Sequence, residues 1–189
     1  MKRAIFLVLA LCLLLPALTG CKQELPVFDA AATAAPATAF PLHRVGGLRL
    51  AAPQDFSAEE QGNAWYAPTY PADGSCITIH TAATNPQFAS YTADNVKQAL
   101  EASYLASLET EVSVTMDAFE FCTVDGFKAL KMEYHFTYRD IKMCCLQYLI
   151  QADQAYTVTC IQVAEAKWMT EFATVCESLI FDWETVSPV

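Results

Sequence analysis

Between residues 111 and 163 the chain reads as four apolar-rich runs cut by three two-residue turns, and this series constrains the fold more than any other feature. The runs are 111 to 123, 127 to 138, 141 to 151 and 155 to 163, with turns at Asp125–Gly126, Arg139–Asp140 and Asp153–Gln154. An Asp-Gly pair tolerates the positive φ that tight hairpins demand. Connections this short join antiparallel neighbours only, so the four runs form a meander. In the second run Leu130, Met132, Tyr134, Phe136 and Tyr138 share one face, and Lys131, Glu133, His135 and Thr137 share the other, more polar one. Val112, Val114 and Met116 fall on even positions but Phe119 and Phe121 on odd ones, which places a β-bulge near Asp117 and Ala118.

Upstream, "SCITIHTA" at 75 to 82 alternates with the period of a strand. "RVGGLRLAAPQDF" at 44 to 56 is a short strand broken by Pro53, and "NAWYAP" at 63 to 68 is its expected partner. Thr92 is an N-cap for a helix to Leu108 that carries Val96, Leu100, Tyr104 and Leu108 along one face. A second helix is expected over 164 to 180, where Trp168, Phe172, Val175, Cys176 and Leu179 recur at helical spacing and put Cys176 on the buried side. The fold class is α+β, an antiparallel β-sheet flanked by helices.

The first twenty residues have the form of a secretory signal peptide: Lys2 and Arg3, an apolar stretch from Ala4 to Leu15, then small residues. The apolar stretch is shorter than the ~20 residues a membrane-spanning helix needs. Leu18, Thr19, Gly20 and Cys21 resemble the lipobox of bacterial lipoproteins, which implies a thioether to diacylglycerol on Cys21 and cleavage just before it. Two or three acyl chains would anchor the chain stably at the membrane surface. The organisation expected is a signal at 1–20, an anchor and flexible spacer at 21–43, a single domain at 44–183 and a tail at 184–189.

Charge excludes one large class of function. There are 11 Lys and Arg against 21 Asp and Glu, a net charge of −10, and no basic stripe. Such a surface repels phosphate backbones, so no nucleic-acid partner is expected.

Catalytic constellations are absent from the sequence. No G-x-S-x-G elbow accompanies His43, His80 or His135. Cys76 and His80 share a strand face but lie ~13 Å apart along it, too far for one ion, so no metal ligand and no cofactor beyond the diacylglycerol is expected. If Asp153–Gln154 sets the register, Gln147 faces Cys160 and Cys145 faces Gln162, which brings Cys145 and Cys160 diagonally onto one face. There they are either a candidate disulfide or two small buried hydrophobes. Trp65, Tyr66 and Tyr70 lie among the turn residues of "NAWYAPTYPADGS" and form a candidate binding edge.

The order of strands, helix, meander and helix resembles the PsbP-like fold, an αβα sandwich shared by an oxygen-evolving subunit of photosystem II, a Ran-binding nuclear transport factor and many bacterial lipoproteins. The stretches that carry the resemblance are "LAAPQDF", "VDGFKALKMEYHF", "QYLIQADQAYTVTCI" and the closing helix followed by "IFDW", together spanning residues 44 to 183. It implies a fold and not an activity. The function expected is that of a lipid-anchored, extracytoplasmic module at the bacterial cell membrane, a non-enzymatic binding or accessory protein for an envelope protein or a small ligand. An envelope enzyme with a dispersed site is the alternative.

Overall fold

The computed structural model describes residues 41–60 and 62–184. The signal, Leu18, Thr19, Gly20, Cys21 and nearly all of the spacer lie outside the described residues. The chain runs β1 (Leu42–Val45), β2 (Leu48–Ala51), β3 (Ser57–Ala58), β4 (Ala64–Tyr66), β5 (Cys76–Ala82), α1 (Ala93–Leu108), β6 (Val114–Val124), β7 (Phe127–Tyr138), β8 (Ile141–Gln151), β9 (Ala155–Val163), α2 (Met169–Glu177) and β10 (Ile180–Phe181).

The meander forms as its turns require. Asp125 and Gly126 have φ of 47° and 84°, and Arg139 and Asp140 have 49° and 65°, so both hairpins turn through left-handed pairs. The β6–β7 register shifts between Met116 and Ala118, where the change of phase places the bulge. A seven-stranded antiparallel sheet results, in the order β3-β4-β5-β9-β8-β7-β6.

Its two faces bury separate cores. On one, α1 lays Val96, Leu100 and Tyr104 against Leu130, Met132, Tyr134 and Phe136 of β7. The helix starts on a capping box: Thr92 Oγ1 accepts from the Asn95 backbone N–H, and Asn95 Oδ1 accepts from that of Thr92. On the other face α2 packs Phe172, Val175 and Cys176 onto the sheet. Beside it lies a small sheet, β1-β2-β10, which contributes Leu48, Leu50 and Phe181 to the same core. The fold is α+β and sheet-dominated, with one helix on each face rather than a full helical layer.

Four expectations are corrected. The stretch 44 to 56 is not one strand paired with 63 to 68: it turns at Gly46, whose φ is 60°, so β2 pairs with β1 and β10, while β4 pairs with β3 and β5. That hairpin begins at Leu42, inside the expected spacer. The second helix starts at Met169 instead of 164, because the Gln162 amide donates to Ala166 O and accepts from Trp168 N–H, which holds 164 to 168 as a turn.

The β8–β9 register is shifted as well. The Ala152 N–H donates to Gln154 O within a three-residue loop, so Gln151 faces Ala155, Leu146 faces Cys160 and Cys145 faces Ile161. Cys145 consequently sits in the α1-side core and Cys160 in the α2-side core. The sheet itself separates the candidate disulfide pair. Cys160 instead approaches Cys176 of α2, with the Sγ atoms 3.9 Å apart. Burial, then Cys176, pushes the Cys160 thiol well up.

A thiol reagent checks this arrangement. In the folded protein Cys122 and Cys144, which are half-exposed, should react first. Cys76, Cys145, Cys160 and Cys176, all buried, should react only after denaturant is added. Prompt reaction of all six would contradict the packing.

Candidate functional site

α1 covers the β6–β7 side of its sheet face and leaves the β5–β9 side open. On that side lies a pocket of about 400 Å³, within the range of small-molecule sites. The alternation of β5 builds its floor: Ile77 and Ile79 point into the α2-side core, so Cys76, Thr78 and His80 face the opposite way. Ile161 and Val163 of β9, Met143 of β8, Phe136 of β7 and Leu108 of α1 give it apolar walls.

The loop 67 to 75 forms one rim and is tightly organised. Asp73 accepts from Thr69 Oγ1 at 2.6 Å and from the Ser75 N–H at 2.9 Å, and Trp168 Nε1 donates to Thr69 Oγ1 at 3.3 Å. Burial works to raise the Asp73 carboxyl, but these hydrogen bonds hold it below the usual range. Tyr66 and Tyr70 pack beside it with tilted rings whose centroids are 4.6 Å apart, and burial pushes the Tyr70 phenol up to about 12. The opposite rim is the β7–β8 turn, where the Arg139 guanidinium lies 5.0 Å from the Tyr138 ring centre and Ile141 is 50% exposed.

Chemically the floor is neutral. Burial, then Asp73, pushes the Cys76 thiol up to about 12, so it stays protonated and is no nucleophile near neutrality. Burial lowers the His80 imidazole, which is then uncharged at pH 7. Thr78 Oγ1 and His80 Nε2 are buried without a hydrogen-bond partner, as is Thr157 Oγ1, whose residue pairs with His80 across β5–β9. A separate buried hydrogen-bond chain crosses the same face. Gln147 Nε2 donates to Thr159 Oγ1 at 3.1 Å, Tyr134 OH donates to Gln147 Oε1 at 3.2 Å, and the Tyr104 and Tyr134 hydroxyls meet at 3.1 Å.

The candidate binding edge is therefore split. Tyr66 and Tyr70 line the pocket, but Trp65 is 1% exposed and belongs to the α2-side core, because neighbouring residues of a strand point to opposite faces. Sequence reading missed Thr78, His80 and Ile161 as pocket residues, although the alternation of β5 and β9 contains the signal.

His135 lies elsewhere, on the α2 side of the main sheet, since its β7 neighbours Tyr134 and Phe136 face α1. Its Nδ1 is 2.7 Å from Asp117 Oδ2 at the bulge, while Glu133 pairs with Lys131 at 2.9 Å. Cys144 is opposite His135 in the β7–β8 ladder. Burial pushes its thiol up, Lys142 pulls it partly back, and Asp117 and Glu165 raise it further, which opposes activation as a nucleophile. Among the described residues no three His, Cys, Asp or Glu side chains gather to hold a metal ion.

No family model and no curated protein matches this chain. Solved structures do. The fold is similar to the solution structure of cyanobacterial PsbP, CyanoP, from Synechocystis sp. PCC 6803, at 14% identity and a TM-score of 0.56 over 72% of this chain and 88% of that one. LpqN, involved in cell envelope biogenesis of Mycobacterium tuberculosis, matches at 14% identity and a TM-score of 0.46 over 77% and 88% of the two chains. PA94 from Pseudomonas aeruginosa, a protein of unknown function, matches at 14% identity and 0.37 over 67% and 96%. The first of these shows a PsbP-like fold, and identity this low carries the fold alone.

Proposed function

We propose that this chain is a lipid-anchored extracytoplasmic lipoprotein whose domain is a non-enzymatic binding module for a small, largely apolar molecule. Acylated Cys21 holds the protein at the membrane, and the Ala-, Thr- and Pro-rich tract behind it lets the domain stand off the surface. Tethering then raises the effective concentration of the binding site at the membrane. The observation that carries the binding reading is the pocket on the half of the sheet that α1 leaves uncovered. Its protonated thiol and uncharged imidazole suit holding a molecule better than attacking one. Association with an envelope protein is the accessory role this tethering would serve.

Two measurements test the proposal. Radiolabelled palmitate should enter the native protein and not Cys21→Ala, and Cys21→Ala should leave the membrane fraction. N-phenyl-1-naphthylamine should gain fluorescence with the native domain, and Val163→Trp, which fills the apolar wall, should reduce that binding at least ten-fold. Equal binding by both proteins would remove the pocket as the site. Equal labelling would remove Cys21 as the anchor.

A further inference from the structure

The pocket's floor narrows what it can hold. Thr78 is 7% exposed and lines the pocket, and neither its Oγ1 nor His80 Nε2 meets solvent or a protein partner. Buried polar side chains in folded proteins are nearly always hydrogen-bonded, so unpaired ones that share a strand face under a pocket call for a partner from outside the chain. Thr78 and His80 are two positions apart on β5, so their side chains fall on one face of the strand and lie side by side in the pocket floor.

That group is uncharged. The pocket's lining holds two carboxylates, Glu59 and Asp73, against one guanidinium, Arg139, which stands at the exposed rim rather than on the floor. An anion would meet net negative charge, and any ion would lose its water without a buried counter-charge to replace it. A hydroxyl fits best, since it can donate or accept and so suits the Thr78 hydroxyl and either tautomer of His80.

Building on the binding module proposed above, we infer that the pocket takes a neutral, hydroxyl-bearing amphiphile, its hydroxyl against Thr78 and His80 and its apolar body along Phe136, Met143 and Ile161.

The test compares naphthalene, 2-naphthol and 2-naphthoate as competitors of N-phenyl-1-naphthylamine, using the full chain with Cys21→Ser and no detergent. The inference expects 2-naphthol to bind about ten-fold more tightly than naphthalene, and 2-naphthoate to bind more weakly than either. Thr78→Val should shrink the naphthol advantage several-fold while naphthalene affinity holds, and Thr78→Ser should keep the advantage. Thermal melting confirms that each variant folds, and Thr78→Ala replaces Thr78→Val if that one does not. Equal affinity for naphthol and naphthalene would overturn the hydroxyl and leave the pocket standing. Tightest binding by naphthoate would overturn neutrality. No competition by any of the three, with the fluorescent probe itself unbound, would remove the pocket along with the inference.

Discussion

Trp65→Ala is expected to lower the stability of the domain by about 3–5 kcal/mol, the cost of truncating a fully buried aromatic side chain. Trp65 is 1% exposed in the α2-side core, and its ring lies 5.2 Å from that of His43 on β1. Removing the indole would open a cavity where β1, β4 and the main sheet meet. Trp65→Phe should cost much less, because it keeps most of the packing and discards an indole N–H that has no partner. Denaturant titration of the three proteins, with the slope unchanged, gives the values directly. The contrast with Tyr66→Ala is informative: that change, on the other side of the strand, should reduce probe binding in the pocket and disturb stability less. A Trp65→Ala protein within about 1 kcal/mol of the native one would mean that Trp65 is not a core residue.

Gln147→Leu is expected to cost about 1–3 kcal/mol for each buried group it leaves without a partner. The side chain is 3% exposed and its two ends serve different strands, the amide N–H₂ reaching Thr159 and the carbonyl accepting from Tyr134. Leucine is close in volume, so the loss reports hydrogen bonding more than packing. Adding Thr159→Val to Gln147→Leu should recover part of the stability, since it removes one of the stranded hydroxyls. A double-mutant cycle measures that coupling, and strict additivity would show that the contact contributes nothing.

The meander was legible because its signals are local. Two-residue turns and a period of two specify hairpins without reference to the rest of the chain, and β6–β7 and β7–β8 follow them closely. Failures came where a side chain or a loop residue decided the matter. Gln162 shortened the second helix by bonding around the turn before it. One N–H, that of Ala152, enlarged a loop by a residue and moved Cys145 and Cys160 to opposite sides of the sheet. Turn residues around Trp65 made it look exposed, although the alternation of β4 points its indole away from the pocket-lining Tyr66 and into the α2-side core. The pocket was the least legible feature, since it arises from how much of the sheet α1 fails to cover, and no single segment encodes that. Its floor was partly readable: Thr78 and His80 alternate with two isoleucines.

The two ends of the described chain share one small sheet. β1 begins at Leu42 and β10 ends at Phe181, and both lie in the small sheet beside α2, where the β6–β7 turn fastens the C-terminal end through Asp125, which accepts from the Phe181 N–H at 2.7 Å and Trp183 Nε1 at 3.1 Å. The pocket opens on the far side of the main sheet. A tether at the front of the chain would thus hold the domain by its back, with the mouth on the opposite side. In that geometry the sheet works as a partition, separating the place where force is transmitted from the place where a ligand arrives.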